Sequence, residues 1–515
     1  MLSVVESSAI LGVDAYAVRV EVNIAPGTPM FSIVGLPDAA VQESRERVRA
    51  AIKNSGLLFP ADKKITVNLA PADIKKAGPA FDLPIAVGIL TATGQISDAS
   101  IAGTVFVGEL SLDGSVRPVN GVLPVAIWAR QNHCPALVVP AANTREAAIV
   151  GEVDVYPVQS LADVLELLCD RDAFTPVRED PAQTLRTQSR SELDFADVKG
   201  QSHVKRALEV AAAGGHNILL IGSPGSGKTM LARRLPTILP SLSVDEALEV
   251  TKLYSVAGLL PSGEALITER PFRSPHHTIS NAGLIGGGTI PRPGEVSLAH
   301  FGVLFLDELP EFNRNVLEVM RQPLEDGQVT IARAAAALTY PAQFMLAAAL
   351  NPCPCGFFGD PVRSCTCSQN MVSNYLNRIS GPLLDRIDIH IEVPRLRQDE
   401  LTAPPSGEKS ATIRGRVEQA RKVQWDRFAA QGTTSVFCNA RMTARHLQSL
   451  CPIAPEAKQL LGTAIEQMNL SARAYDRILK VSRTIADLAG AETIGVAHIA
   501  EAVQYRALDR KFWAG

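Results

Sequence analysis

The segment GSPGSGKT, at residues 222–229, carries the clearest chemical signal of the sequence. It matches the pattern G-x-x-x-x-G-K-[ST] at every fixed position and lies between an apolar segment, HNILLI, and a segment of helical periodicity. In such a P-loop the backbone N–H groups surround phosphate oxygens, and the dipole of the following helix adds positive potential. Lys228 is expected to reach the β and γ phosphates of ATP, and the Thr229 hydroxyl to coordinate Mg²⁺. The predicted nucleotide site comprises Gly222, Ser223, Pro224, Gly225, Ser226, Gly227, Lys228 and Thr229.

Two acidic residues, Asp307 and Glu308, end the apolar segment VLFLDE further along the chain. At a strand end beside a P-loop, Asp307 can hold the magnesium ion through water, and Glu308 can polarise the attacking water. The alternative is a strand that ends in two solvated acids. The P-loop upstream favours a hydrolytic site.

Two further residues are candidates for the same site. Asn351 follows the apolar segment FMLAAAL, so its amide is expected to orient the water near the γ-phosphate, although an asparagine in a simple turn is the alternative. Arg386, in GPLLDRID, is our candidate for an arginine finger that stabilises transition-state charge in a neighbouring subunit. The alternative for Arg386 is an ion pair with Asp385 or Asp388.

A cluster of cysteines begins two positions after the asparagine. Cys353, Cys355, Cys365 and Cys367 form C-x-C-x9-C-x-C, with proline and glycine between the pairs. Four thiolates brought together in this way can bind one tetrahedral zinc ion. The sequence therefore predicts a structural zinc site, with unmetallated thiols as the alternative.

The elements that must position these residues follow from the pattern of the whole chain. The chain has 515 residues, more than one compact domain usually contains, which suggests about three domains. Hydrophobic residues make up 46% and charged residues 20%, as in ordinary globular proteins. The net charge of −3 decides nothing about a nucleic-acid partner. Between residues 195 and 395, short apolar runs separated by helical segments predict a parallel sheet flanked by helices. The predicted organisation is an α/β domain at 1–169, a polar linker at 170–194, an ATPase core at 195–395 and an all-helical lid at 396–515.

The sequence gives no sign of a membrane protein. No apolar run approaches the roughly 20 residues that span a bilayer, and Glu6 stands where a signal peptide would carry positive charge. We therefore expect a cytoplasmic protein.

The order of these motifs resembles that of the AAA+ ATPases, and the amino-acid sequence of several segments is most similar to the magnesium-chelatase-like ComM/YifB family. The further matching segments are DVKGQSHVKRALEVAAAGGHN, RPFRSPHHTIS, NPCPCG and SARAYDRILKVSRTIADL. The resemblance implies a homohexameric ring in which Asn351 acts as sensor one, Arg386 as the arginine finger and Arg473, from the lid, as sensor two.

The same resemblance implies elements that contact DNA. One is an insert with a glycine-rich stretch, GLIGGGTIPRPGEVS, and the other is a hairpin near TIARAAAALTYPA. Basic side chains there could contact phosphates without reading bases. Surface loops of no particular role are the alternative. The candidate contacts are Arg273, His276, His277, Arg292 and Arg333.

Two segments of the first domain, KKAGPAFDLPIAVGIL and GELSLDGSVRPVNGVLPVAIWAR, resemble the proteolytic domain of Lon. Ala80 stands where Lon has its nucleophilic serine, and Val125 is aligned with its lysine base. Neither side chain can perform that chemistry. We expect no peptidase activity, and a domain that helps to assemble the ring or to engage DNA.

Taken together, the resemblance implies an ATP-driven DNA motor that promotes branch migration of recombination intermediates during the uptake of transforming DNA. Its expected partners are single-stranded or branched DNA, further copies of the same chain and recombination proteins. One alternative is a magnesium-chelatase-type ATPase that remodels a protein partner. An ATP-dependent protease is the other.

Overall fold

The computed structural model describes residues 1–187, 192–261, 263–288, 291–333, 336–396, 400, 407–433, 436–468 and 471–508, without the side chains of residues 187, 333 and 336. The strands of these residues are β1 (Leu2–Leu11), β2 (Asp14–Ala25), β3 (Met30–Val34), β4 (Lys64–Ala70), β5 (Thr104–Phe106), β6 (Glu109–Leu110), β7 (Val116–Arg117), β8 (Ala136–Pro140), β9 (Asp154–Val158), β10 (Ile218–Ile221), β11 (Phe272–Arg273), β12 (Gly286–Gly287), β13 (Arg292–Pro293), β14 (Val303–Leu306), β15 (Gln328–Arg333), β16 (Ala336–Pro341), β17 (Met345–Leu350) and β18 (Ile389–Glu392).

The α-helices follow the same chain order. They are α1 (Ala39–Asn54), α2 (Asp82–Ala92), α3 (Asp98–Ile101), α4 (Val122–Gln131), α5 (Thr144–Ala148), α6 (Leu161–Cys169), α7 (Pro181–Thr187), α8 (Ser202–Gly214), α9 (Lys228–Ile238), α10 (Val244–Ala257), α11 (Asn281–Ile285), α12 (Glu295–Leu298), α13 (Arg314–Val319), α14 (Arg321–Asp326), α15 (Gln369–Leu376), α16 (Gly381–Leu384), α17 (Ser410–Ala430), α18 (Ala444–Leu450), α19 (Pro455–Met468), α20 (Ala472–Leu488) and α21 (Val496–Gln504). In the part of the chain that is described, no helix has the length and apolarity needed to cross a bilayer.

The chain divides into two compact units. The first comprises Met1–Gln188 and Ser243–Thr268, and the second comprises Ser189–Leu242 and Glu269–Gly515. The division after residue 188 falls within the linker predicted at 170–194. The segment 243–268 differs from expectation, because the sequence analysis assigned it to the ATPase core and its contacts place it in the first unit.

The first unit is built on a seven-stranded mixed sheet in the order β3-β4-β2-β1-β5-β8-β9. Strand β2 alternates as a half-buried strand should, with Val18, Val20, Val22 and Ile24 turned into the core. Helix α2 is buried along its whole length and packs against β1 and β2. Gly88 permits this close packing, because a Cβ atom there would lie 2.6 Å from Cγ2 of Val22.

A buried carboxylate holds segment 243–268 within the first unit. Glu146 of α5 accepts hydrogen bonds from the hydroxyl of Ser255, the backbone N–H of Leu123 and the amide of Asn143. Burial raises the pKa of Glu146, and these hydrogen bonds oppose that rise. Helix α10 is therefore attached to the first unit through its last turn.

The second unit contains a five-stranded sheet in the order β11-β14-β17-β10-β18, in which every neighbouring pair is parallel. Strands β10, β14 and β17 are buried at every position, as expected of a parallel sheet covered on both faces. Helices α17 and α20 pack on α8, so the helical C-terminal part shares a core with the sheet. These observations confirm the predicted α/β fold class with a parallel sheet and a helical C-terminal region.

Candidate nucleotide site

Three strands of the parallel sheet end at one edge, and each is followed by a predicted site residue. The P-loop follows β10, Asp307 and Glu308 follow β14, and Asn351 follows β17. The carboxyl ends of parallel strands form the usual binding crevice of such sheets. The structure thus brings together three motifs that lie far apart along the chain.

The backbone of the P-loop leaves space for phosphate oxygens. Gly222 is required by close packing, because a Cβ atom there would lie 2.4 Å from the carbonyl oxygen of Val393. Gly227 has a φ of 93° directly before α9 begins at Lys228. The hydroxyl of Ser226 is buried and has no hydrogen-bond partner among the described atoms. A phosphate at the start of α9 would satisfy this orphaned group, so these residues fit the nucleotide.

Lys228 is the central cation of the site. Its Nζ donates hydrogen bonds to the carbonyl oxygens of Gly222, at 2.7 Å, and Ser223, at 3.1 Å, and to Oδ1 of Asn351, at 3.1 Å. Burial lowers the pKa of Lys228, while Asp307 and Glu308 act in the opposite direction. Phosphate oxygens would replace these carbonyl partners and favour the charged amine.

The acceptors expected to hold magnesium also meet. The Thr229 hydroxyl donates to Oδ2 of Asp307 at 2.7 Å, which joins the start of α9 to the end of β14. Hydroxyl and carboxylate oxygens are the ligands that Mg²⁺ prefers. Thr229 and Asp307 are therefore suitably placed to hold the metal, directly or through water.

Glu308 has a neighbour that the sequence analysis did not assign to this site. Nδ1 of His277 lies 3.7 Å from Oε2 of Glu308. The imidazole of His277 also contacts the rings of His276 and Phe312, with centroid distances of 4.1 and 6.4 Å. His277 is one of the residues expected to contact DNA, and no signal in the sequence connects it with Glu308.

The loop that carries the cysteines packs against the P-loop. Ser223 donates a hydrogen bond to Oδ2 of Asp360 at 2.6 Å. This bond, together with the N–H groups of Val362 and Arg363, lowers the pKa of Asp360 to about 2. A Cβ atom on Gly356 would lie 2.5 Å from Cδ of Pro224, so the two loops are in close contact. Sequence reasoning missed Asp360, which no motif marks.

The four cysteines form one cluster, with every pair of Sγ atoms within 4.8 Å. The Sγ of Cys353 lies 3.3 Å from that of Cys355 and 3.7 Å from that of Cys365, and Cys355 and Cys365 are 3.6 Å apart. Four Zn–S bonds of about 2.3 Å would hold the sulfurs about 3.8 Å apart, so the geometry suits a tetrahedral ion. Backbone N–H groups, chiefly that of Phe357, lower the pKa of Cys355 to about 5.

Arg386 makes a contact that neither of our expectations included. Its guanidinium pairs with Glu325 and donates to the carbonyl oxygen of Pro382. The ion pair with Asp385 or Asp388 that we considered as the alternative is therefore wrong. Arg473 is 68% exposed and lies 3.8 Å from Asp385. Within the described residues, neither arginine forms a hydrogen bond with the P-loop.

The DNA-contact candidates occupy different environments. Arg273 is engaged by both carboxylate oxygens of Glu295, at 2.6 and 2.7 Å. His276 hydrogen-bonds to the hydroxyl of Thr278 at 2.9 Å. Arg292 is exposed on β13, which pairs with β12. Strands β15 and β16 form the expected hairpin, but the side chain of Arg333 lies outside the described residues.

Comparison with known proteins agrees with this arrangement. Three family models match successive parts of the chain: subunit ChlI of Mg-chelatase at residues 20–143, magnesium chelatase subunit ChlI at 194–401, and its C-terminal part at 407–506. The chain is 45% identical to competence protein ComM of Haemophilus influenzae over 99% of its length and 98% of that protein. It is 43% identical to the protein YifB of Escherichia coli, with the same coverage.

The first unit has a second similarity. It is 30% identical over 139 residues to Lon protease 2 of Bacillus subtilis, which covers 27% of this chain and 24% of that protein. Val125, which we expected to stand in place of the lysine base of Lon, is buried in α4 and carries no amine. By its near full-length similarity and its nucleotide site, the chain belongs to the ComM/YifB family of magnesium-chelatase-like AAA+ ATPases.

Proposed function

We propose that this chain is the subunit of a ring-shaped ATPase that moves along DNA and promotes branch migration of recombination intermediates. The observation that carries the ATPase part is the cluster of Lys228, Thr229, Asp307 and Asn351 at one edge of the sheet. A relative named as a competence protein supports a role in the uptake of transforming DNA. Single-stranded or branched DNA and recombination proteins are then the partners, and the cytoplasm the location.

Each residue of the site has a separate role in ATP hydrolysis. Lys228 exchanges its carbonyl partners for the β and γ phosphate oxygens, and Thr229 and Asp307 hold the magnesium ion. The ion, when bound, neutralises charge that develops on the phosphates. Glu308 accepts a proton from the attacking water, and Asn351 orients that water. The His277 imidazole, 3.7 Å from Glu308, is placed to influence the orientation of this carboxylate.

Arg386 is proposed to act in the site of the next subunit of a homohexamer, and Arg473 as the lid's sensor of the nucleotide. Glu325, whose side chain is 57% exposed, holds Arg386 within its own chain. The Arg386 side chain is itself only 8% exposed, so the finger must leave a largely buried position as well as this ion pair when it reaches the next subunit. Assembly would then exchange Glu325 for the phosphates of the neighbouring subunit.

The four cysteines are proposed to hold a structural zinc ion. Their separations suit the ion, and Asp360 joins their loop to Ser223 of the P-loop. The metal would fix the loop that packs on the phosphate cradle. Its role would be structural, since four protein ligands leave no open coordination position.

The decisive experiment measures ATP turnover by the full chain with no DNA, with single-stranded DNA and with a branched junction. We expect stimulation by DNA and strand exchange at the junction, both abolished by Lys228→Ala. An ATPase that DNA neither binds at low salt nor stimulates would refute the DNA motor and leave the ATPase intact.

A mixing experiment tests the shared site. Arg386→Ala subunits keep an intact P-loop, and Lys228→Ala subunits keep an intact finger. Mixed rings should regain part of the activity that each variant lacks alone. Mixed rings that assemble and remain inactive would contradict the role of Arg386.

The matching family models, all named for magnesium chelatase, favour a second candidate, an ATPase that remodels a protein partner. For this candidate we expect an ATP turnover that DNA does not change and that a protein partner increases. The same turnover assay therefore separates the two.

A further inference from the structure

A small cleft in the first unit combines basic and aromatic side chains. It has a volume of about 220 Å³ and lies between the middle of α1, the edge strand β3 and the segment before β4. Its charged lining consists of Arg45, Arg49 and Lys63 with one acid, Glu46. The excess of two positive charges contrasts with the net charge of −3 for the whole chain.

The cations of this cleft are open to solvent. Arg45 and Arg49 lie one turn apart on α1, and with Lys63 they are exposed. None of the three forms a salt bridge with a described residue. Arg47, between the two arginines in sequence, is different: it binds the fully buried Asp82 at 2.6 Å. Arg47 thus stabilises the fold, whereas its neighbours remain available to a ligand.

The aromatic part of the cleft is held by the core. Phe31 and Phe59 pack partly on the first unit's hydrophobic core and remain half-exposed, with ring centroids 6.1 Å apart. The guanidinium of Arg49 lies 5.5 Å from the centroid of Phe59. Because both rings pack on the core and remain partly exposed, they form a preorganised apolar surface for a planar ligand group.

We propose that this cleft binds single-stranded nucleic acid. Arg45 and Lys63 contact backbone phosphates, and a base packs on the half-exposed Phe59 ring in exchange for the Arg49 guanidinium that lies over it. Cations along a groove with aromatic rings on which bases stack are the features that bind single strands without reading their sequence. This contact lies in the first unit and adds to the DNA contacts proposed for the second.

The main test compares variants of the full chain in binding a fluorescent oligothymidylate over a range of salt concentrations. Arg45→Ala with Lys63→Ala should weaken binding and reduce the slope of log Kd against log salt by about 0.7 for each lost phosphate contact. Phe59→Leu should weaken binding at least about fivefold and leave the slope unchanged.

A matched control removes the same charge elsewhere in the first unit. Arg117→Ala with Arg178→Ala replaces two exposed arginines, 62% and 64% accessible, outside the cleft. If this pair lowers affinity and slope as much as the cleft pair does, net charge alone explains the effect and the proposal fails. Equal competition by inorganic phosphate or free nucleotide would show a simple anion site and would also overturn it.

A photocrosslink locates the contact directly. An oligonucleotide carrying 5-iodouracil should crosslink to the peptide that contains Phe59, and Phe59→Leu should remove that product. Crosslinks confined to the second unit would refute the cleft and leave the DNA motor standing. A crosslink at the cleft without DNA stimulation of ATP turnover would refute the motor and leave the cleft standing.

Discussion

Asp388 is the carboxylate at which three separate segments of the second unit meet. It directly precedes β18, accepts a hydrogen bond from Nδ1 of His216 at 3.0 Å and pairs with Arg477 of α20. The other nitrogen of His216, after α8, lies 2.8 Å from the hydroxyl of Thr484. Burial alone would raise the pKa of Asp388, but Arg477 and His216 hold it below its usual range. The change Asp388→Asn removes this charge and preserves the shape.

The expected loss of stability follows from the charge of Arg477, which Asp388→Asn leaves unpaired. Removing one partner of a buried ion pair costs about 3–5 kcal/mol, because the other charge is left unpaired. The Arg477 side chain is 21% exposed, so water can compensate part of that loss. We therefore expect the free energy of unfolding to fall by about 3 kcal/mol, at the lower end of that range. The melting temperature should fall by about 6 °C, at about 2 °C per kcal/mol for a unit of this size.

A control lies three residues away. Asp385 is 38% exposed and 3.8 Å from an exposed Arg473, so Asp385→Asn should cost about 0–1 kcal/mol. The assay is thermal unfolding of both variants at low protein concentration without nucleotide. Replacing Arg477 by Met in the Asp388→Asn chain should recover part of the loss, since it removes the unpaired charge.

The pH dependence supplies a second readout. A carboxylate whose pKa is depressed by folding stabilises the folded state above its unfolded pKa of about 3.9, and that stability is lost as pH falls further. The difference in melting temperature between the native and the Asp388→Asn chains should be largest above about pH 5 and should become smaller below about pH 4. Equal melting temperatures for the Asp388 and Asp385 variants at neutral pH would refute the reasoning.

Three further predictions concern the nucleotide site. Glu325→Gln should raise ATP turnover of the assembled protein, because Arg386 is then held less strongly in its own chain. Unchanged turnover would show that the Glu325–Arg386 ion pair does not restrain the finger. Asp360→Asn should weaken ATP binding severalfold, measured by titration with a fluorescent analogue, because the Ser223 hydroxyl loses a charged acceptor; a value equal to that of the native chain would show that this bond does not support the P-loop. Cys365→Ser should release zinc, measured by a colorimetric chelator, and lower ATP affinity together with it, whereas native protein without bound zinc would refute the metal site.

Much of the nucleotide site could be predicted from short segments of sequence. GSPGSGKT determines its own turn, because its glycines and the following helix are contiguous. Asp307 and Asn351 were also placed correctly at the sheet edge, because each follows a buried apolar strand. The carboxyl ends of parallel strands lie at one edge of the sheet, so the local pattern was sufficient to place these residues at that edge.

The domain boundaries were harder to predict. Helix α10 reads as one more helix of the ATPase core, and only its tertiary contacts, among them those with α4, Asp14 and Glu146, assign it to the first unit. Amphipathic periodicity shows that a helix has a buried face but does not identify the surface that covers it.

The remaining contacts were decided by the tertiary structure alone. Asp360 reaches Ser223, Glu325 reaches Arg386 and His277 lies beside Glu308, and no motif connects the members of these pairs. The chemical groups of the site, and the strand ends that carry them, could be read from short stretches of sequence. Which acid faces which base was determined by the packing of segments distant along the chain, since a side chain's partners depend on three-dimensional distance rather than on spacing.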